Sequence, residues 1–213
     1  MKFNTFLESI VNIEHIDLLG EIAHAKMSPS YRLKMAEKMK QKQKEAQIAA
    51  VLALFYPNVN NDTTLVLILR NTYKGVHSAQ VGFPGGKVEA SDINLKATAL
   101  RETEEEIGVK QHSIEIVKEM SPLYIPPSNF LVHPFMGISK KPLQFIKDDG
   151  EVNAIIEVSL QDLLDETKVQ QTKVPTSYNV EVEVPAFILN DYVVWGATAM
   201  MLSEIKVLLK ALL

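Results

Sequence analysis

Phe83-Pro84-Gly85-Gly86-Lys87-Val88-Glu89, followed past Asp92 by Arg101-Glu102-Thr103-Glu104-Glu105-Glu106-Ile107-Gly108, is the stretch that decides how this 213-residue chain is read. Residues Ile93 to Ile107 contain neither proline nor glycine. Ser91 or Asp92 is available as an N-cap and Gly108 suits the position just past a helix end, so the pattern predicts a helix over 93–107. On that helix Glu106 falls about 40° from Glu102, and Glu105 about 60° to its other side. Glu104 points nearly opposite. Clustering like charges at these spacings costs an isolated helix roughly 0.2–0.5 kcal/mol per pair. A divalent cation reverses that penalty, and Mg²⁺ or Mn²⁺ prefers carboxylate oxygens that it can bridge to substrate phosphates. The Gly85-Gly86 pair lets the backbone come close to this face, where a carbonyl can add a ligand or an amide can meet a phosphate. Arg101 is suited to orienting a carboxylate through a bidentate contact. On the glutamates alone a solvated acidic face accounts for the pattern. The glycine pair, the cap and the terminal glycine at fixed offsets favour the metal reading.

Working outward, apolar residues recur at helical spacing from Phe3 to Ala25, predicting a helix with a break near Gly20. Tyr31 to Glu45 is polar and lysine-rich, a solvated face or a cationic rim that attracts a phosphorylated ligand. Ala49–Tyr56 and Thr64–Leu69 read as two strands joined by a polar loop, and further strands are expected at 81–83, 114–120, 132–139, 152–158 and 180–188. A helix over about 196–212 closes the chain. Helices at the start, middle and end of a strand-rich chain indicate an α+β layered domain rather than regular βαβ alternation.

Composition narrows the function classes. The chain has no cysteine, which removes disulfides, thiolate nucleophiles and every Cys-ligated metal site. The longest apolar run, Ile48–Tyr56, is far short of the roughly 18 residues a membrane helix needs, and Glu8 and Glu14 interrupt any secretory apolar segment. A cytoplasmic, non-membrane protein is expected. With 22 Lys+Arg against 26 Asp+Glu, a net charge of -4, no nucleic-acid partner is expected either. Gly-x-Ser-x-Gly, Walker A and His-Glu-x-x-His motifs are missing from the sequence.

The acidic segment resembles the Nudix box: a Gly, five residues, a Glu, seven residues, then Arg-Glu-hydrophobic-x-Glu-Glu-x-Gly-hydrophobic. Gly86, Arg101, Glu102, Glu105, Glu106, Gly108 and Val109 match. Asp92 stands in place of the first Glu with eight residues before Arg101, and Thr103 replaces the hydrophobic position. Upstream, Leu67-Ile68-Leu69-Arg70 and His77-Ser78-Ala79-Gln80-Val81-Gly82-Phe83-Pro84-Gly85-Gly86 are similar to the signature of the coenzyme A pyrophosphatase branch, with Ala79 in place of a usual Gly.

This resemblance, which covers roughly residue 49 to the C-terminus, implies an α/β/α sandwich with a mixed sheet and the box loop and helix over 83–109. Together with the apolar spacing at the two ends, the chain is read as one domain, residues 1–213, with a helical N-terminal extension over 1–46 and a C-terminal helix. It implies Mg²⁺ or Mn²⁺ held by Glu102, Glu105, Glu106 and the Gly85 carbonyl. Catalytic roles fall to Glu102, Arg101, and Glu105 or Glu151 as the base. A small nucleoside diphosphate substrate resembling coenzyme A would be contacted by Arg70, Lys74, His77 and Gly86. ADP-ribose or a dinucleotide is the other substrate class, and a non-catalytic nucleotide-binding module the other function class. A homodimer is compatible with the apolar C-terminal helix.

Overall fold

Alternation along strand β1 (Gln47–Pro57) sets the layers. In the computed structural model, which describes residues 1–29, 32, 43–71, 80–175 and 181–213, Ala49, Val51, Ala53 and Phe55 face one core, while Ala50, Leu52, Leu54 and Tyr56 face the other. A strand buried on both faces must be nearly continuously apolar, as this one is. β7 (Phe130–Ile138) runs parallel to it along its whole length on one edge. The other edge is shared. β2 (Thr63–Arg70) pairs antiparallel with Leu54–Pro57, and then the two strands diverge. Into the opening fit β3 (Val81–Gly82), paired with β2, and β4 (Gly85–Lys87), paired with β1. The glycine pair therefore sits where the sheet splays. β5 (Glu115–Glu119) and β6 (Leu123–Ile125) pair with β7, and β8 (Val152–Ser159) lines the outer edge of β2, completing an eight-stranded mixed sheet.

Helices cover both faces. The even-numbered side of β1 packs Ala99 and Ile107 of the acidic helix. The opposite side packs Phe3, Phe6, Ile10 and Ile13 from the N-terminal segment with Ala199–Leu209 of the closing helix. Phe6 lies 5.3 Å from Phe55, centroid to centroid. The backbone ties the start of the chain to the β1–β2 loop, with Phe3 N–H donating to Asn61 O at 2.8 Å. This is the expected α/β/α sandwich. A three-stranded antiparallel sheet, β9 (Val169–Pro175), β10 (Glu181–Leu189) and β11 (Tyr192–Val194), lies between a short helix at Leu160–Leu164 and the C-terminal helix at Gly196–Leu212. Among the described residues no helix is long and apolar enough to cross a membrane.

Three local expectations need correction. The N-terminal helix was expected to run to a break near Gly20: α2 (Glu21–Ala25) does begin just past Gly20, but α1 (Phe3–Ser9) ends well before it, with a 3-10 turn at Ile13–His15 between them. Gly20, at φ +48°, spends its N–H on the Glu204 carboxylate instead of on a helix. The acidic helix, α3 (Leu95–Ile107), starts later than expected because Asn94, not Ser91 or Asp92, caps it through Ala97 N–H at 2.9 Å. Strands β4, β6, β9 and β11 carry no clear alternation of their own and were not expected. In chain order the Leu160–Leu164 helix is α4 and the Gly196–Leu212 helix α5. Most of the lysine-rich segment lies outside the described residues.

Candidate active site

The site is built where α3 crosses the splay of β1 and β2. Gly85 takes φ +145°, and a Cβ there would lie 2.4 Å from Ala50 O, so only glycine fits. At Gly86 a Cβ would fall 2.5 Å from the Glu102 carboxyl carbon: the missing side chain is the space the carboxylate occupies. At the other end of α3, Gly108 closes the helix at φ +75°. There the loop before β8 is stapled to the helix terminus, Ile146 N–H donating to Ile107 O at 3.0 Å and Asp148 N–H to Glu106 O at 2.9 Å. Asn71 N–H holds Glu151 O at 2.8 Å. These bonds place Glu151 close enough to Glu102 and Glu106 for its charge to act on both.

Arg101 organises one side of the cluster. Its Nε and Nη2 each lie 2.9 Å from an Asp92 oxygen, while Nη1 reaches Glu102 at 3.0 Å and Glu105 at 2.8 Å. Asp92 also accepts from Glu89 N–H and the Thr98 hydroxyl, both at 2.9 Å. The Arg101 guanidinium holds the Asp92 carboxyl well below the usual carboxylate range. Asp92, which the sequence pattern left outside the site, is the residue that fixes Arg101. The bidentate contact expected of Arg101 is made to Asp92.

Glu106 differs from its neighbours. A solvated acidic face would leave it in water, yet it is only 2% exposed. Gly85 N–H donates to one carboxylate oxygen at 2.7 Å, and Arg70 Nη2 lies 3.1 Å from the other. That second oxygen, Oε1, is buried with no aligned hydrogen bond. Burial pushes the Glu106 carboxyl up to about 7, against the pull of Arg70 and the Gly85 N–H. Burial also raises Glu102, with Arg101 opposing. Glu105 stays largely exposed at 59% and points to Arg101, and Glu104 pairs with Lys110 away from the cluster.

Among the described residues no three acidic or histidine side chains already converge as a metal cage. The donor set nevertheless fits a hard divalent cation: an orphaned buried carboxylate oxygen on Glu106, Glu102 one turn away over a glycine cradle, and the Gly85 carbonyl beside them. Arg70, expected to face the substrate, instead donates to that same Gly85 O at 2.6 Å. No sequence signal pairs Arg70 with Glu106; it follows from the end of β2 meeting the glycine turn. Lys74 and His77 lie outside the described residues.

A mixed sheet with a glycine-cradled acidic helix over its splayed strands is the architecture the sequence resemblance implied. Residues 47–178 match the NUDIX domain family, and the chain belongs to it. It is 29% identical over 157 residues to the Caenorhabditis elegans protein named peroxisomal coenzyme A diphosphatase ndx-8, covering 73% of this chain and 65% of the worm protein. The Arabidopsis thaliana protein named Nudix hydrolase 15, mitochondrial, is 31% identical over 156 residues, or 71% of this chain and 54% of that protein. The chain thus spans less than two thirds of the length of either relative. A solved NUDIX hydrolase from Alicyclobacillus acidocaldarius is 18% identical, with a TM-score of 0.48 over 56% of this chain and 81% of that one.

Proposed function

We propose that this chain is a metal-dependent pyrophosphohydrolase that cleaves coenzyme A or an acyl derivative to 4′-phosphopantetheine and adenosine 3′,5′-bisphosphate. The observation that carries the hydrolase reading is Glu106 Oε1, a buried carboxylate oxygen without an aligned hydrogen bond, beside the Gly85 carbonyl and one turn from Glu102. Burying such a group is costly unless a charge completes it. Bound at Glu102, Glu106 and the Gly85 carbonyl, with Glu105 as a further candidate ligand, Mg²⁺ or Mn²⁺ would neutralise diphosphate charge and acidify a water.

The chain's own residues supply the rest. Asp92 fixes Arg101, and Arg101 holds Glu102 and Glu105 in place. Glu151 or Glu105 takes the proton as a water oxygen bonds to one phosphorus and the bond from that phosphorus to the bridging oxygen breaks. The leaving group departs as the second phosphate monoester. Support for coenzyme A comes from the His77–Gly86 signature and from the printed name of the worm relative. Its extra ribose phosphate suits the cationic groups Arg70, Lys74 and His77, and the Gly86 amide suits a diphosphate oxygen.

The test is a hydrolysis panel with Mg²⁺ and Mn²⁺ over coenzyme A, acetyl-coenzyme A, ADP-ribose, NADH and a nucleoside triphosphate, with products identified by mass. Preferential release of phosphopantetheine is the expected result. Turnover of ADP-ribose or a dinucleotide alone would keep the chemistry and discard the substrate, and binding without turnover would leave a nucleotide-binding module.

A further inference from the structure

The Gly85 carbonyl and the Glu106 carboxylate are both engaged by one group, the Arg70 guanidinium, at 2.6 and 3.1 Å through the same nitrogen, Nη2. Those are two of the three groups the site offers a divalent cation. Nη2 cannot remain between them once an ion is bound there, because two positive charges sharing one buried carboxylate repel. Arg70 is also placed to move. Its side chain is 25% exposed, and it ends β2, where the pairing with β8 loses register between Leu69 and Arg70.

We propose that Arg70 is a resident cation that occupies the metal position, keeping the Gly85 carbonyl and Glu106 in register until an ion arrives, and that it must swing out for the ion to bind. Arg70 therefore competes with the metal, and the apparent metal affinity is reduced by the fraction of molecules in which the arginine is in place. The displaced guanidinium is then free for an anionic substrate, so metal and phosphate binding are coupled through one side chain. This rests on the metal reading of the Glu102–Glu106 face.

The sequence makes the test clean, because the chain has only three arginines, Arg32, Arg70 and Arg101. In wild-type protein labelled with ¹⁵N-arginine and assigned with Arg70→Lys, the Arg70 Nε–H signal should shift in step with Mg²⁺ saturation measured by calorimetry, without substrate. Saturation with that signal unmoved overturns the proposal while sparing the metal reading. No Mg²⁺ binding at millimolar concentration sinks both. Independently, free Mn²⁺ measured by electron paramagnetic resonance at pH 8 should show folded Arg70→Ala binding about tenfold tighter if arginine-free molecules make up about a tenth of the wild type. Equal or weaker binding by folded Arg70→Ala means that Arg70 supports the ligands instead of competing for them.

Discussion

Two buried glutamates on two helices carry opposite chemistry. Glu204 on α5, 1% exposed, accepts Gly20 N–H at 2.8 Å on one oxygen and Ser121 N–H at 3.0 Å on the other, with His24 Nε2 at 3.6 Å. Burial raises its pKa, but the His24 ring and the Ser121 contacts outweigh it and leave the carboxyl below the usual glutamate range. Glu106 on α3, 2% exposed, has one N–H, one unaligned arginine and two nearby carboxylates, and is raised instead. Burial alone therefore does not mark function. A carboxylate with both oxygens answered by backbone N–H groups is a clasp, here holding the N-terminal segment to the C-terminal helix. One left short of partners is prepared for something that arrives later.

The sharpest way to break the comparison is to remove each charge in turn. Glu106→Gln should lower metal-dependent turnover at least about 100-fold, beyond the 10- to 100-fold typical of losing a group that only supports a ligand. Glu204→Gln should leave turnover per folded molecule unchanged. Comparable activity losses in steady-state assays of the two would erase the distinction.

Gly86→Ala should come next in size. A methyl there meets the Glu102 carboxylate, the mobile end of a side chain, so the fold survives while Glu102 is pushed off its place. Metal affinity measured by calorimetry should fall roughly 10- to 100-fold with circular dichroism unchanged; unaltered affinity would remove Glu102 from the donor set.

Stability should invert the ranking. Glu204→Gln turns one answered oxygen into an opposed amide and should cost about 1–3 kcal/mol, a Tm drop of roughly 2–12 °C for a chain of this size. In the same melts, Mg²⁺ at about 100 times its Kd should stabilise wild type and Glu204→Gln alike by about 2.7 kcal/mol, but not Glu106→Gln. A Mg²⁺ shift surviving in Glu106→Gln would place the ion elsewhere.

The last comparison is in the pH profile of metal-free stability. The Glu106 carboxyl sits above the ordinary glutamate value of 4.5, so its contribution is whole below about 4.5 and is lost as pH rises through about 7. Glu204 sits below 4.5, so its contribution is whole above 4.5 and is lost as pH falls through its depressed pKa. Denaturant melts of the two Gln variants should flatten opposite limbs of the profile, and flattening of the same limb by both would contradict the assignment.

What could be read from the chain differs between these two regions for a physical reason. The box around Glu106 is local: glycines, caps and carboxylates lie within one turn and one helix, so spacing and the 100° helical step place Glu102 and Glu106 together before any tertiary contact is considered. The Glu204 clasp joins residues separated by 184 positions in the chain, Gly20 and Glu204, and no periodicity announces it. The same holds within the site. Asp92 was legible as an acid near the box but not as the partner of Arg101.

The sequence by itself determined an α+β layered domain, through helices at the start, middle and end of a strand-rich chain, and the acidic face, through helical geometry and the terminal glycine. Only the tertiary structure decided which carboxylate is buried, that Glu151 comes close enough for its charge to act on Glu102 and Glu106, and that Arg70 sits on the Gly85 carbonyl. Those depend on where β1 and β2 part and on loops docking at the end of α3. Burial and partner count are properties of packed surfaces from remote segments, and they set the charge chemistry that spacing alone leaves open.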